Sequence, residues 1–71
     1  MVVDEYDEKH VKIGGVSVVK ETEKAFLVEA YGEQIWLPKS QMHQDSDDLA
    51  EGEIGTIIIS KWIARQKELI A

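Results

Sequence analysis

"KAFLVEAYGEQIWLPKSQ", residues 24–41, is the stretch on which the fold turns. Residues 24–31 are rich in apolar and aromatic side chains, the composition of a strand. Gly32-Glu33 fits a two-residue hairpin loop with glycine at the first central position, where a positive φ is required. That register sets Tyr31 opposite Gln34, Ala30 opposite Ile35, Glu29 opposite Trp36 and Val28 opposite Leu37. One side of the ribbon then carries Phe26, Val28, Ala30, Ile35 and Leu37, and is assigned to the core. The other carries Leu27, Glu29, Tyr31, Gln34 and Trp36. This mixture is too apolar for an ordinary solvent face and too polar for a deep interior, so a binding surface or a second layer is expected there. Pro38 has no N–H to give to a ladder and ends the second strand.

Working outward, "VKIGGVSVVK" (11–20) alternates in two phases, Val11 and Ile13 before the glycine pair and Val16 and Val18 after it. Gly14-Gly15 therefore marks a bulge or sharp bend within one strand. A short turn follows, with Glu21 and Thr22 at its tip. From His43 to Gly55 the chain becomes a long acidic loop, with room for one helical turn begun by Asp45 or Ser46. "GTIIIS" (55–60) is a final strand, continuous enough in β-branched residues to be buried on both faces. "SKWIARQKELIA" (60–71) reads as an amphipathic helix capped by Ser60, with Trp62, Ile63, Gln66, Leu69 and Ile70 on its apolar stripe and Lys61, Arg65 and Glu68 opposite. Residues 1–9 show no sustained period and form an acidic N-terminal arm, frayed or ordered by a partner. The expected architecture is one mainly β domain over residues 10–71. It has four or five strands in an OB/SH3-like bent sheet or partly open barrel, with a C-terminal helix.

Composition narrows the classes further. At 71 residues without cysteine, the chain has neither a disulfide framework nor a thiolate metal site, so stability must come from packing or self-association. No apolar run reaches the length of a membrane span, and the first residues lack the basic-then-apolar order of a secretory signal; a cytoplasmic setting without membrane contact is expected. The net charge of −6, from 14 acidic and 8 basic residues, argues against a broad basic face for duplex DNA but leaves room for a local basic groove.

The segments "TEKAFLVEAYGEQIWLPKSQM", "HQDSDD" and "GTIIISKWIARQKEL" resemble a group of small proteins that recur in phages and mobile elements. The shared pattern is a lysine-alanine strand, a glycine hairpin, a Trp-aliphatic-Pro-Lys-Ser turn and a terminal strand followed by a Trp-bearing helix. The resemblance spans about residues 10–70; it implies a phage-like origin, hence a host-cell cytoplasm, and a small barrel, and it brings no activity with it.

Motifs of chemistry are sparse. His10 and His43 lack the i, i+4 spacing of a helical zinc pair, and Asp45, Asp47 and Asp48 begin like a calcium loop but meet Ala50 and Thr56 where a glycine and an acid belong. Ser40, His43 and Asp45 supply the parts of a nucleophilic triad without an oxyanion hole or substrate pocket. No catalytic residue, metal or cofactor is therefore assigned, and the chain is read as non-enzymatic. Single-stranded nucleic acid is the leading partner, with Tyr31 and Trp36 as stacking platforms and Lys24 and Lys39 tracking phosphates, opposed by Glu29. The alternative is an acidic inhibitor or nucleic-acid mimic that engages a basic host or phage protein surface through Asp45, Asp47, Asp48 and the N-terminal acids. A homodimer through an exposed strand edge or the helix is a related arrangement.

Overall fold

A computed structural model describes residues 2–70. The elements in chain order are β1 (Val2–Glu5), β2 (His10–Glu21), β3 (Ala25–Ala30), β4 (Glu33–Pro38), a 3-10 turn (Lys39–Gln41), β5 (Ile54–Ser60) and the short helix α1 (Lys61–Gln66). All the strands belong to one antiparallel sheet that does not close into a barrel. β2 is its organiser. Twelve residues long, it pairs with β1 through residues 11–14 and with β3 through residues 17–21. Its other edge takes β5 over residues 10–17.

β2 can serve three partners because it bends. Its register against β5 shifts between Ile13 and Val16, and Gly15 there has φ +75°, a conformation that glycine adopts without steric cost. The extra residue reverses the alternation, so Ile13 and Val16 both point into the core at 0% exposure. A second bulge between Val18 and Lys20 reverses it again and turns Lys20 to the side of Leu27.

The core gathers Val11, Ile13, Val16 and Val18 of β2, Val28 and Ala30 of β3, Ile35 and Leu37 of β4, Ile57 and Ile59 of β5, and Ile63, Ala64 and Leu69 at the C-terminus. Ile58 is also buried but stands outside this cluster, so β5 is covered on both faces, as its unbroken apolar run implies. Among the described residues no buried side-chain polar atom lacks a partner.

Three expectations are corrected. First, the hairpin turns one residue earlier. Ala30 pairs with Glu33, Glu29 with Gln34, Val28 with Ile35, Leu27 with Trp36 and Phe26 with Leu37. Tyr31 and Gly32 are the central pair, at φ 54° and 75°, the two positive values of a type I′ turn. The register moves by two residues in total, which keeps every side chain on its expected face but gives Trp36 Leu27 as its neighbour in place of Glu29. Second, the N-terminal arm is not frayed: Val2–Glu5 pairs with β2, and Val3 packs against the core.

Third, α1 stops after six residues. Ser60 caps its start by accepting the Ile63 N–H at 3.1 Å, as expected. At its end Glu68 takes φ 59°, the Leu69 N–H donates to the Ala64 carbonyl at 2.8 Å, and the Glu68 N–H donates to the Arg65 carbonyl at 3.0 Å. These two bonds make a Schellman motif, which returns Leu69 to the core without further helix. The buried face is Ile63 and Ala64, and Trp62 points outward, 59% exposed.

Candidate binding surfaces

The outer face of β2–β4 is built in rows by register. Lys20, Leu27 and Trp36 form one row; Ser17, Glu29 and Gln34 form the next. Leu27 is partly buried and Trp36 is 44% exposed. α1 packs on β5 and β2, away from the Trp36 hairpin, so Trp36 and Trp62 do not cover one another in a second core.

The four residues assigned to nucleic-acid contact do not gather. Tyr31 sits in the β3–β4 turn, five residues from Trp36, or about 16 Å along an extended strand. At the other end, the Lys39 N–H donates to the Lys24 carbonyl at 2.8 Å, so these two lysines share the Trp36 end of the ribbon. Lys39, however, is spent within the protein. Its Nζ donates to Glu21 Oε2 at 2.6 Å and lies 4.9 Å from the centroid of the Phe26 ring, and Phe26 belongs to the core face. Lys24 is exposed. Lys20 stands in the Trp36 row because of the bulge at Val19, whereas two-residue alternation carried past Val18 puts it inside.

The acidic loop is held down along the outer edge of β5. The His43 N–H donates to the Ile58 carbonyl at 2.7 Å, and Ser46 Oγ both accepts the Ile58 N–H at 2.7 Å and donates to the Ile58 carbonyl at 3.1 Å. Asp47 Oδ2 accepts the Thr56 N–H at 2.9 Å, and the Asp47 N–H donates to the Thr56 carbonyl at the same distance. Gly55 allows this approach: a Cβ there would lie 2.7 Å from Leu49 Cδ2 and 2.8 Å from Asp47 Oδ2. No helical turn forms in the loop. Of the three aspartates assigned to protein contact, Asp47 thus fastens the loop, Asp45 accepts a hydrogen bond from the Tyr6 hydroxyl, and Asp48 is exposed.

Tyr6, His10 and His43 meet as an aromatic cluster, with His10 and His43 ring centroids 4.9 Å apart and Tyr6 5.0 Å from His43. His43 Nδ1 accepts the Asp45 N–H at 3.0 Å, so it does not donate to the Asp45 carboxylate as a triad histidine does. The hydrogen bond to Asp45 raises the Tyr6 pKa. On the same turn His10 Nδ1 donates to Asp7 Oδ1 at 2.9 Å, and the Lys9 N–H donates to the same oxygen at 2.8 Å. The His10 bond first, and backbone donors after it, hold the Asp7 carboxyl below the usual carboxylate range. Sequence spacing does not bring these residues together, since the cluster joins the β1–β2 turn to the start of the acidic loop. Among the described residues, no group of three or more His, Asp or Glu is placed to hold a metal ion, and no helix is long and apolar enough to cross a membrane.

Compared with protein-family models, curated proteins and solved structures, the chain matches none.

Proposed function

We propose that the protein is a non-enzymatic binding module that takes single-stranded nucleic acid on the open outer face of β2–β4. The observation that carries this reading is Trp36, exposed on a pleated surface beside Leu27 with no helix over it. An indole on a sheet is a stacking platform for any base, and a stacked base contributes about 1–3 kcal/mol. Lys20 lies in the same row and Lys24 at the same end of the hairpin, where each reaches a phosphate, while Lys39 is withdrawn to Glu21. Glu29 in the adjacent row limits the affinity and flattens its salt dependence, because added salt screens its repulsion of phosphate along with the attraction of the lysines. Tyr31, at the opposite end of the ribbon, contacts a different nucleotide from the one that Trp36 stacks. A phage or mobile-element source suits a binding module of this size.

Titration with a short oligothymidylate at low salt tests the reading. Tryptophan emission falls as the strand binds, and Trp36→Ala or the pair Lys20→Glu and Lys24→Glu weakens binding at least tenfold. An unchanged emission spectrum at low salt would overturn it. A basic protein surface is the second class of partner, favoured by the net charge of −6 and by the exposed Asp48. Its test is Asp48→Lys, because reversal at Asp45 or Asp47 would also unfasten the loop. Capture of a basic partner that survives this reversal unchanged counts against it.

A further inference from the structure

The chain's only arginine lies beside its most exposed tryptophan. Trp62 and Arg65 are three residues apart on α1, the spacing that puts side chains on one helical face. The Lys61 N–H donates to the Lys9 carbonyl at 2.8 Å, and this bond draws the β1–β2 turn against the start of the helix. Between them is an open hollow of about 390 Å³, lined by Glu8, Lys9, Ser60, Lys61, Trp62 and Arg65. Three of the 8 basic residues of an acidic protein meet there. Lys61 is partly neutralised, its Nζ 3.2 Å from Glu5 Oε1. Among the described residues, Lys9 and Arg65 have no carboxylate within ion-pair distance, and both are exposed. An exposed indole next to two available cations matches a base with its flanking phosphate, the guanidinium presenting paired donors to the phosphate oxygens.

We propose that this hollow is a second contact for single-stranded nucleic acid, in which Trp62 stacks on a base and Arg65 and Lys9 hold the neighbouring phosphate. It rests on the single-strand reading for the class of its ligand and uses none of the residues of the sheet face, so the two surfaces are tested separately.

Two single-tryptophan proteins provide the test. Trp36→Phe leaves Trp62 as the only indole, and Trp62→Phe leaves Trp36. Each is titrated with an oligothymidylate of about 15 nucleotides, a length within the usual site size of small single-strand binders. The expected result is quenching of Trp62 in the Trp36→Phe protein. Adding Lys9→Glu and Arg65→Glu weakens that response at least tenfold and flattens the slope of log K against log salt by about 1.4, roughly 0.7 for each lost phosphate contact. Quenching of Trp36 alone would overturn this inference and leave the sheet-face reading standing; quenching of Trp62 alone would do the reverse. Quenching of neither overturns both. An equal response of Trp62 to an oligoglutamate of matched charge also overturns the inference, since such a chain has no base to stack.

Discussion

The two tryptophans occupy surfaces of different construction. Trp36 stands on a rigid sheet among Lys20, Leu27, Glu29 and Gln34, with Lys24 at the same end of the hairpin and Lys39 committed to Glu21 and Phe26. Trp62 stands on the six-residue α1 among Lys9, Lys61 and Arg65, with Glu8 at the same hollow. Each is backed by fully packed residues, Leu37 and Ile35 behind one and Ile63 and Ala64 behind the other. Exposure of an aromatic is therefore not a packing failure at either place. What separates the two is how their cations arrive: a bulge turns Lys20 into the row of Trp36, whereas Lys61 and Arg65 share the helix of Trp62 and a turn from the far end of the chain adds Lys9. A tryptophan's neighbours in space, more than its own element, decide what it can bind.

The largest test of this contrast is energetic. Leu37→Ala empties a buried position and costs about 2–5 kcal/mol, as does Ile63→Ala, whereas Trp36→Ala and Trp62→Ala stay within about 1 kcal/mol in chemical denaturation. A loss of several kcal/mol on truncating either tryptophan would show that it belongs to the core. Next in size is Ser60→Ala, which removes the acceptor of the Ile63 N–H and costs about 1 kcal/mol. It loosens α1 and should broaden the environment of Trp62 while leaving that of Trp36 unchanged.

Each tryptophan-bearing element also adjoins a non-glycine residue at positive φ, Tyr31 in the turn before β4 and Glu68 after α1. Tyr31→Asn supplies the Asn-Gly pair that a type I′ turn prefers, and Glu68→Gly supplies the usual residue of a Schellman motif. Each should stabilise the protein by about 0.5–1 kcal/mol, read as a higher denaturation midpoint. The smallest effect is pH-dependent. Because the Asp7 carboxyl is held low in the folded protein, its contribution to stability is present above the ordinary aspartate range and is lost as pH falls through the folded value, below about pH 4. Asp7 fixes the turn that carries Lys9, so acidification should perturb Trp62 before Trp36 in the single-tryptophan proteins, and Asp7→Asn should abolish the difference.

Much of this architecture was legible without coordinates. The glycine-marked change of phase in β2, the two faces of the hairpin, the doubly buried β5 and the Ser60 cap all follow from local spacing. The hairpin register was not legible, because a shift of two residues preserves every inside-outside assignment and hydrophobic pattern cannot detect it. Nor was the face of Lys20, since the bulge at Val19 has no glycine to announce it. The end of the helix was not legible either, because Glu68 is a poor left-handed residue, and it takes that conformation where Leu69 turns back to be buried. The candidate surfaces were the least legible: Lys39 lies near Trp36 in sequence and is spent on Glu21, while Lys9 is remote from Trp62 in sequence and adjacent to it in space.

The sequence by itself therefore determined the class of the fold, a small bent sheet over one core, because period-two alternation and turn residues act over a few positions. Only the tertiary structure decided which side chains share a surface. Pairing register, bulges and the docking of α1 on β5 and β2 are set by contacts between distant segments, and those contacts placed Lys20 beside Trp36, tied Lys39 to Glu21 and brought Lys9 beside Trp62.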